Sequence, residues 1–179
     1  MSTSIAKRMT ADIEEKETSM WNFREPSITD GDAIFTLIAN CPPLDTNSSY
    51  CNFLQSSHFS KTCLIAERDS AIAGFISAYQ KPNEPNVLFI WQVAVSPQAR
   101  GEGLAFTMLT TLLGRMKNTI DTIETTITED NDASWALFKK LDAQHLQQGV
   151  ISTFLDENTH FKGKHDTEYL YRITLKNSQ

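Results

Sequence analysis

The residues best placed to do chemistry lie in one turn, Gln98-Ala-Arg-Gly-Glu-Gly103. Gly101 and Gly103 have no Cβ, so the backbone can turn sharply there and come close to a ligand. An amphipathic run starts directly afterwards, and the first amides of a helix have no partner within it. Free amides at the positive end of the helix dipole make a seat for phosphate groups. Arg100 adds a cation, which reads equally well as a phosphate partner or a solvated turn charge. The spacing matches neither the dinucleotide fingerprint G-x-G-x-x-G nor the triphosphate loop G-x-x-x-x-G-K-[ST]. A bare β-to-α turn with no ligand is the plain alternative.

Side chains able to grip or move protons collect elsewhere. Leu44-Asp-Thr-Asn-Ser-Ser-Tyr50 is dense in oxygens and follows Pro42 and Pro43. It reads either as a capped loop between helices or as a substrate lip carrying the Asp45 carboxylate and the Tyr50 phenol. Glu124 stands in a β-branched run, where it is either a surface carboxylate or a base. His160, His165, Asp166 and Glu168 crowd a late loop. Their spacing fits no helical zinc motif, so no metal is expected. Trp91 reads as a core aromatic, although an indole face can also attract an ammonium.

The elements that must hold these residues are legible from periodicity. Residues 87–95 form a buried strand, rich in β-branched side chains and ended by Pro97. Leu104, Met108 and Leu112, with Leu109, Leu113 and Met116, give the following helix its apolar face. Before them, 21–25 reads as a short strand, and Thr29 caps a helix that ends near Asn40 before the two prolines. Ser48 or Ser49 caps a second helix running to about His58. Residues 62–79 read as a hairpin turning at Arg68-Asp-Ser-Ala, with Gly74 marking a bulge or bend, and 81–86 as a surface loop. Residues 121–128 form a strand, and a helix starts at Asn131 or Asp132. Two further strands follow, at 144–156 with an interruption around Gln147-Gln-Gly149, and at 168–175. Strands and helices mix without repeat or linker, which gives an α/β (mixed α+β) fold in a single domain over 21–176. Residues 1–20 are polar and expected to be a poorly ordered leader.

Gln98-x-x-Gly101-x-Gly103 after Val-Ala-Val-Ser-Pro resembles the acyl-coenzyme A pyrophosphate loop of the GNAT acetyltransferase superfamily, and Asn131-Asp-Ala-Ser-Trp-Ala-Leu-Phe138 resembles its second cofactor helix. Four stretches narrow the resemblance to a branch acting on small diamino acids. They are Cys41-Pro-Pro-Leu-Asp-Thr-Asn-Ser-Ser-Tyr-Cys-Asn52, Phe89-Ile-Trp-Gln-Val-Ala-Val-Ser96, Glu124-Thr-Thr-Ile-Thr-Glu-Asp-Asn-Asp-Ala-Ser-Trp135 and His160-Phe-Lys-Gly-Lys-His-Asp-Thr-Glu168. The resemblance implies a twisted mixed sheet of about seven strands flanked by about four helices, with acetyl-CoA held where strands 87–95 and 121–128 splay apart. It implies that the pantetheine arm pairs with the backbone near Val93 and Val95. The pyrophosphate would sit on Gln98, Arg100, Gly101 and Gly103, and Asn131 would contact the arm. Asp45, Trp91, His165 and Glu168 would hold the acceptor, and a homodimer is expected, to which the tyrosine-rich last strand could contribute.

Acetyl transfer to an amine needs a neutral nucleophile, a donor for the developing oxyanion and a route for the proton. An alkyl ammonium titrates near 10.4, so something must take its proton at neutral pH. Glu124 and Tyr50 are the candidate catalytic residues. Many superfamily members place an acidic tyrosine directly after the residue matching Phe138, but this chain has Lys139 there. That departure leaves open an acyl-CoA-binding regulatory module without turnover, although the furnished stretches 41–52 and 160–168 favour an enzyme. Acceptors other than the diamino acid, such as a polyamine, keep the same chemistry.

Composition bounds the remainder. The 179 residues are 40% apolar, enough for one core. No apolar run reaches the length of about 18 that suggests a membrane span, and no secretory signal is legible. Three cysteines without zinc spacing suit a reducing cytoplasm. A net charge of −6 disfavours a nucleic-acid surface and suits a cationic substrate.

Overall fold

The computed structural model describes residues 20–176, so the expected leader falls outside the described residues apart from Met20. The strands are β1 (Asn22–Arg24), β2 (Leu64–Arg68), β3 (Ala71–Lys81), β4 (Glu84–Val95), β5 (Thr122–Ile127), β6 (Val150–Leu155) and β7 (Glu168–Thr174). The helices are α1 (Gly31–Ala39), α2 (Ser49–Ser57), α3 (Leu104–Met116) and α4 (Asp132–Gln144). One sheet runs in the order β1-β2-β3-β4-β5-β7-β6. Among the described residues only β4 and β5 pair in parallel; the other pairings are antiparallel.

Apolar periodicity settles which helix covers which face. Met108, Leu109 and Leu112 of α3 and Phe138 and Leu141 of α4 pack on Leu64, Ile76, Leu88, Ile90 and Ile123. Ile34, Leu37 and Ile38 of α1 pack on Ile65, Phe75 and Ala94 from the other side. Burying a side chain of this size stabilises by about 1.5–3 kcal/mol, so both helical layers are held by their apolar stripes rather than by propensity.

Two irregularities in the middle of the sheet build the site. First, Ser77 lies opposite Gln92 but Ala78 lies opposite Ile90, so Trp91 is an extra residue in β4. Such a bulge breaks the two-residue alternation. Leu88 and Ile90 therefore share the α3 side with Val93 and Val95, while Ala94 belongs to the α1 side. Second, the parallel pairing of β4 with β5 covers only Val87–Ile90 against Thr122–Thr125. Beyond it β4 continues to Val95 without β5, and a wedge opens between them.

Most boundaries agree with the sequence to within a few residues. Asn131 caps α4, its side chain accepting from Ser134 N at 3.1 Å, and Ser48 caps α2 by accepting from Cys51 N at 3.2 Å. Three expectations shift. Ser27 rather than Thr29 starts the first helical segment, as a 3-10 turn whose Asp30 accepts from Ser27 N at 2.7 Å. The 81–86 loop is a tight hairpin, because Lys81 and Glu84 pair at 2.6 Å and extend both strands. The third concerns strand 144–156, which is shorter: it spans Val150–Leu155 as β6, on the outer side of β7.

Candidate active site

The wedge continues into a cavity of about 540 Å³. Val93 and Val95 line one wall, Arg100, Gly101 and Gly103 the head, Asn131 and Ser134 the flank, and Cys41 to Leu44 the outer lip. Ser96 N donates to Ala73 O at 2.8 Å, so Ser96 belongs to the hydrogen-bonded positions of the β3–β4 ladder. In an antiparallel ladder these positions alternate, which leaves the backbone groups of Val93 and Val95 directed away from β3 and into the wedge. Cys41 Sγ reaches Val95 O there at 3.3 Å. Buried N–H and C=O groups are nearly always paired, so free ones along an opened strand invite an extended ligand.

The head of the cavity fits phosphates. Gly101 and Gly103 have φ of 83° and 73°, and nothing lies within 4 Å of where a Cβ would stand on either. Gly103 is the N-cap of α3, so the helix starts facing open space. Glu102, the one carboxylate in this turn, is held by the two terminal guanidinium nitrogens of Arg68 at 2.9 and 3.1 Å. Arg68 also lies over the Trp21 ring at 3.9 Å. Lys140 is a cation the sequence reading overlooked: it lines the cavity with its Nζ 4.2 Å from the Phe106 ring. Gln98 lies outside this cavity, bordering a groove beside α1 and accepting from Ser96 Oγ.

A second cluster forms next to the lip. Leu44 lines the cavity, and the following residue, Asp45, lies 3.7 Å from His165 Nε2. His165 is 3.8 Å from Glu168 and stacks with Phe161 at 4.6 Å. Hydrogen bonding of its Nδ1 to the Asp166 carbonyl, with the Glu168 and Asp45 carboxylates nearby, raises the imidazole above its ordinary value. Asp45 is thus brought to His165 and Glu168, which lie more than a hundred residues further along the chain. Trp91 is thrust out by the bulge, 47% exposed, with Tyr79 edge-on at 6.5 Å. His160 serves its own loop, its Nδ1 accepting from Asp156 N at 2.8 Å.

Among the described residues, neither candidate catalytic residue makes a hydrogen bond or ion pair with this cluster. Glu124 is 2% exposed. One carboxylate oxygen accepts from Lys81 Nζ at 2.9 Å and the other from Arg172. Both cations also bind Glu84, at 2.6 and 3.0 Å, which closes a four-residue ion network across β3, β4, β5 and β7. Tyr50 is on the first turn of α2 and 70% exposed. Lys139, in place of the usual tyrosine, lies over Trp135 at 5.5 Å.

A splayed β4–β5 pair, a glycine-headed cavity at α3 and a capped α4 are what the sequence resemblance anticipated. The family model for the acetyltransferase (GNAT) family matches residues 31–143. The chain belongs to the GNAT acetyltransferase family. The L-2,4-diaminobutyric acid acetyltransferase of Vibrio parahaemolyticus is 64% identical over 98% of both chains. That of Halomonas elongata is 40% identical, over 96% of this chain and 91% of its own. Among solved structures, the GNAT fold is shared with the diaminobutyrate acetyltransferase EctA from Paenibacillus lautus, in complex with its substrate L-2,4-diaminobutyric acid and coenzyme A. It superposes with a TM-score of 0.81 at 34% identity, over 90% of this chain and 99% of that one. The ribosomal-protein-S18-alanine N-acetyltransferase from Escherichia coli, with a TM-score of 0.68 at 13% identity, shares the fold.

Several functional candidates escaped the sequence reading. Lys140 and Phe106 carry no motif. Gln92 did leave a signal, since a polar side chain inside an apolar strand needs a buried partner. Arg172 and Lys81 became visible as Glu124 partners only once β3, β5 and β7 were assembled.

Proposed function

We propose that this protein transfers the acetyl group of acetyl-CoA to the side-chain (N4) amine of L-2,4-diaminobutyrate. The observation that carries the reading is the adjacency of two built sites: Leu44 lines the cofactor cavity while Asp45, the next residue, meets His165 beside Glu168. The name and high identity of the relatives support the same acceptor.

The cavity accounts for the acyl donor. Arg100 and Lys140 with the α3 amides hold the phosphates, Asn131 and the Val93 and Val95 backbone hold the arm, and Gln98 shapes the turn from behind. The N–H of Val93 is the donor for the thioester oxygen as charge develops on it. The acceptor cluster accounts for the amine. A zwitterion with a second ammonium needs acids for its amines and a donor for its carboxylate. Asp45 and Glu168 are the acids, protonated His165 is the donor, and Trp91 borders the short chain. One carboxylate grips the α-ammonium and keeps it from the thioester, so placement selects the other amine. Orientation of this kind is worth about 7–11 kcal/mol at best, more than the pKa difference between the amines.

The amine must lose its proton before attack. Both Glu124 carboxylate oxygens are engaged by Lys81 and Arg172, so Glu124 contributes through the ion network that fixes β5 beside β4. Asp45 or Glu168, directly or through water, is the better receiver. Tyr50 is the candidate donor to the departing thiolate, tested by Tyr50→Phe. We further propose a cytoplasmic homodimer. Its contact surface is the outermost strand β6, where Val150, Ile151 and Phe154 are exposed; unpaired edge strands are natural association sites.

The test is turnover across a panel of amines with acetyl-CoA. Diaminobutyrate should give the highest specificity constant, and ornithine, longer by one methylene, should react poorly. Faster turnover of a polyamine would favour the alternative acceptor class.

A further inference from the structure

Gln92 is the one amide in a strand otherwise filled with apolar side chains past the bulge, and it is only 9% exposed. Both ends of its carboxamide are spent on a single loop. Nε2 donates to the Asp45 carbonyl at 2.8 Å, and Oε1 accepts from Asn47 Nδ2 at 3.0 Å. That loop joins α1 to α2 with no regular structure of its own until Ser48 caps α2. Its other ties to the sheet are Cys41 Sγ on Val95 O and the packing of Leu44 against the α1-side core.

The position of Gln92 along β4 gives the tie its meaning. The preceding residue is the bulged Trp91, and the following one is Val93, whose backbone faces the wedge. The loop bearing Asp45 is therefore fastened between the indole beside the acceptor and the amide nearest the acyl group. The carboxylate of Asp45 is largely exposed, so nothing but its own backbone and the 3.7 Å approach of His165 fixes where it points. A side chain held only from behind is as well placed as its backbone is.

We propose that Gln92, with Asn47, is a positioning residue that sets the acceptor carboxylate Asp45 at a fixed distance from the acetyl site. It acts through the Asp45 carbonyl and touches neither substrate. The inference rests on the proposed acceptor function, since it assumes that Asp45 grips an amine. Loss of the tie should let the loop drift at Asp45 and weaken the grip on the acceptor, while the phosphate seat keeps its own support in the turn that starts α3. Small misplacements of a binding group have large kinetic effects.

The experiment is a double-mutant cycle. Gln92→Glu keeps size but sets an oxygen against the Asp45 carbonyl; Gln92→Leu removes both bonds; Asn47→Leu removes one from the loop side. The native enzyme is assayed first with diaminobutyrate, so failure of the acceptor reading shows there, before any variant is made. In the native background, Gln92→Glu and Gln92→Leu should raise the diaminobutyrate KM about tenfold or more, and Asn47→Leu by less. Acetyl-CoA affinity should stay within about twofold. In an Asp45→Ala background the same changes should add little, because the residue they act through is gone. A purely structural role would lower activity equally in both backgrounds, and that result overturns the proposal, as does an unchanged KM. If the Gln92 variants fail to fold, Asn47→Leu in the two backgrounds decides alone by the same criterion.

Discussion

Replacing a glycine in the 101–103 turn by aspartate should separate the phosphate seat from the fold. A Cβ at either glycine meets no atom within 4 Å, so the first atom of a new side chain has room. What remains is the backbone, with φ of 83° at Gly101 and 73° at Gly103. Left-handed backbone costs an L-residue roughly 1–2 kcal/mol, less for aspartate, which tolerates it. About 1 kcal/mol lowers the melting temperature of a chain this size by roughly 2–4 °C. The cost to binding is larger. A carboxylate roughly 5 Å from a phosphate charge, at an effective dielectric of about 20, is repelled by about 3 kcal/mol, a loss of affinity on the order of a hundredfold. Gly103→Ala supplies the strain without the charge. Calorimetric titration with acetyl-CoA should therefore give a small loss for Gly103→Ala and a large one for Gly101→Asp and Gly103→Asp. The gap should narrow as salt screens the repulsion. Aspartate variants that melt near the native temperature and bind acetyl-CoA within threefold of the native protein would refute the phosphate seat.

Other substitutions test other parts of the account. Glu124→Gln strips a buried carboxylate from Lys81 and Arg172, whose side chains are 29% and 38% exposed. Breaking a fully buried pair costs about 3–5 kcal/mol, and water reaching both cations reduces this to about 1–3 kcal/mol. Thermal unfolding should fall accordingly while the pH profile of turnover stays put; a collapse of turnover with a displaced profile would restore Glu124 as the base. His165 has a raised folded value, so its contribution to stability is complete below the unfolded value near 6.5 and fades as pH rises through the folded one. The melting difference between native and His165→Gln should shrink from acid to alkaline pH, and the diaminobutyrate KM of the native enzyme should climb over the same window; pH-independent differences would contradict this. Tyr171→Phe removes the hydroxyl that donates to Asp142 at 3.0 Å, a phenol pushed up to about 12 chiefly by burial. The cost is about 1.5–3 kcal/mol for a bond to a charged acceptor, read as a lower melting temperature at unchanged acetyl-CoA affinity.

The sequence carried the cofactor side better than the acceptor side. A glycine turn between an apolar strand and an amphipathic helix is a local pattern, and positive φ at Gly101 and Gly103 follows from it. Asn131 as a cap is equally local. The bulge at Trp91 was hidden, because Gln92 apart the residues around it are apolar and the two-residue alternation has little contrast to break. Asp45, His165 and Glu168 came forward through the family resemblance, since their meeting depends on two loops far apart in the chain. Glu124 was rightly placed on the strand beside the wedge, but its engagement needed Lys81 from β3 and Arg172 from β7. The position of β7 inside the sheet, with β6 outside it, is a topological fact that chain order does not express.

The claim on which everything else depends is that placement, not basicity, chooses the nitrogen. The α-amine, near 7.7–8.0, is neutral more often than a side-chain amine near 10.4, so an unselective catalyst would acetylate it preferentially at neutral pH. Nuclear magnetic resonance of the product formed from diaminobutyrate and acetyl-CoA reads the outcome directly. Acetylation at N4 with the α-amine left free is the result expected from Asp45 and Glu168 beside the lip of the cavity. Acetylation mainly at the α-nitrogen would contradict the account.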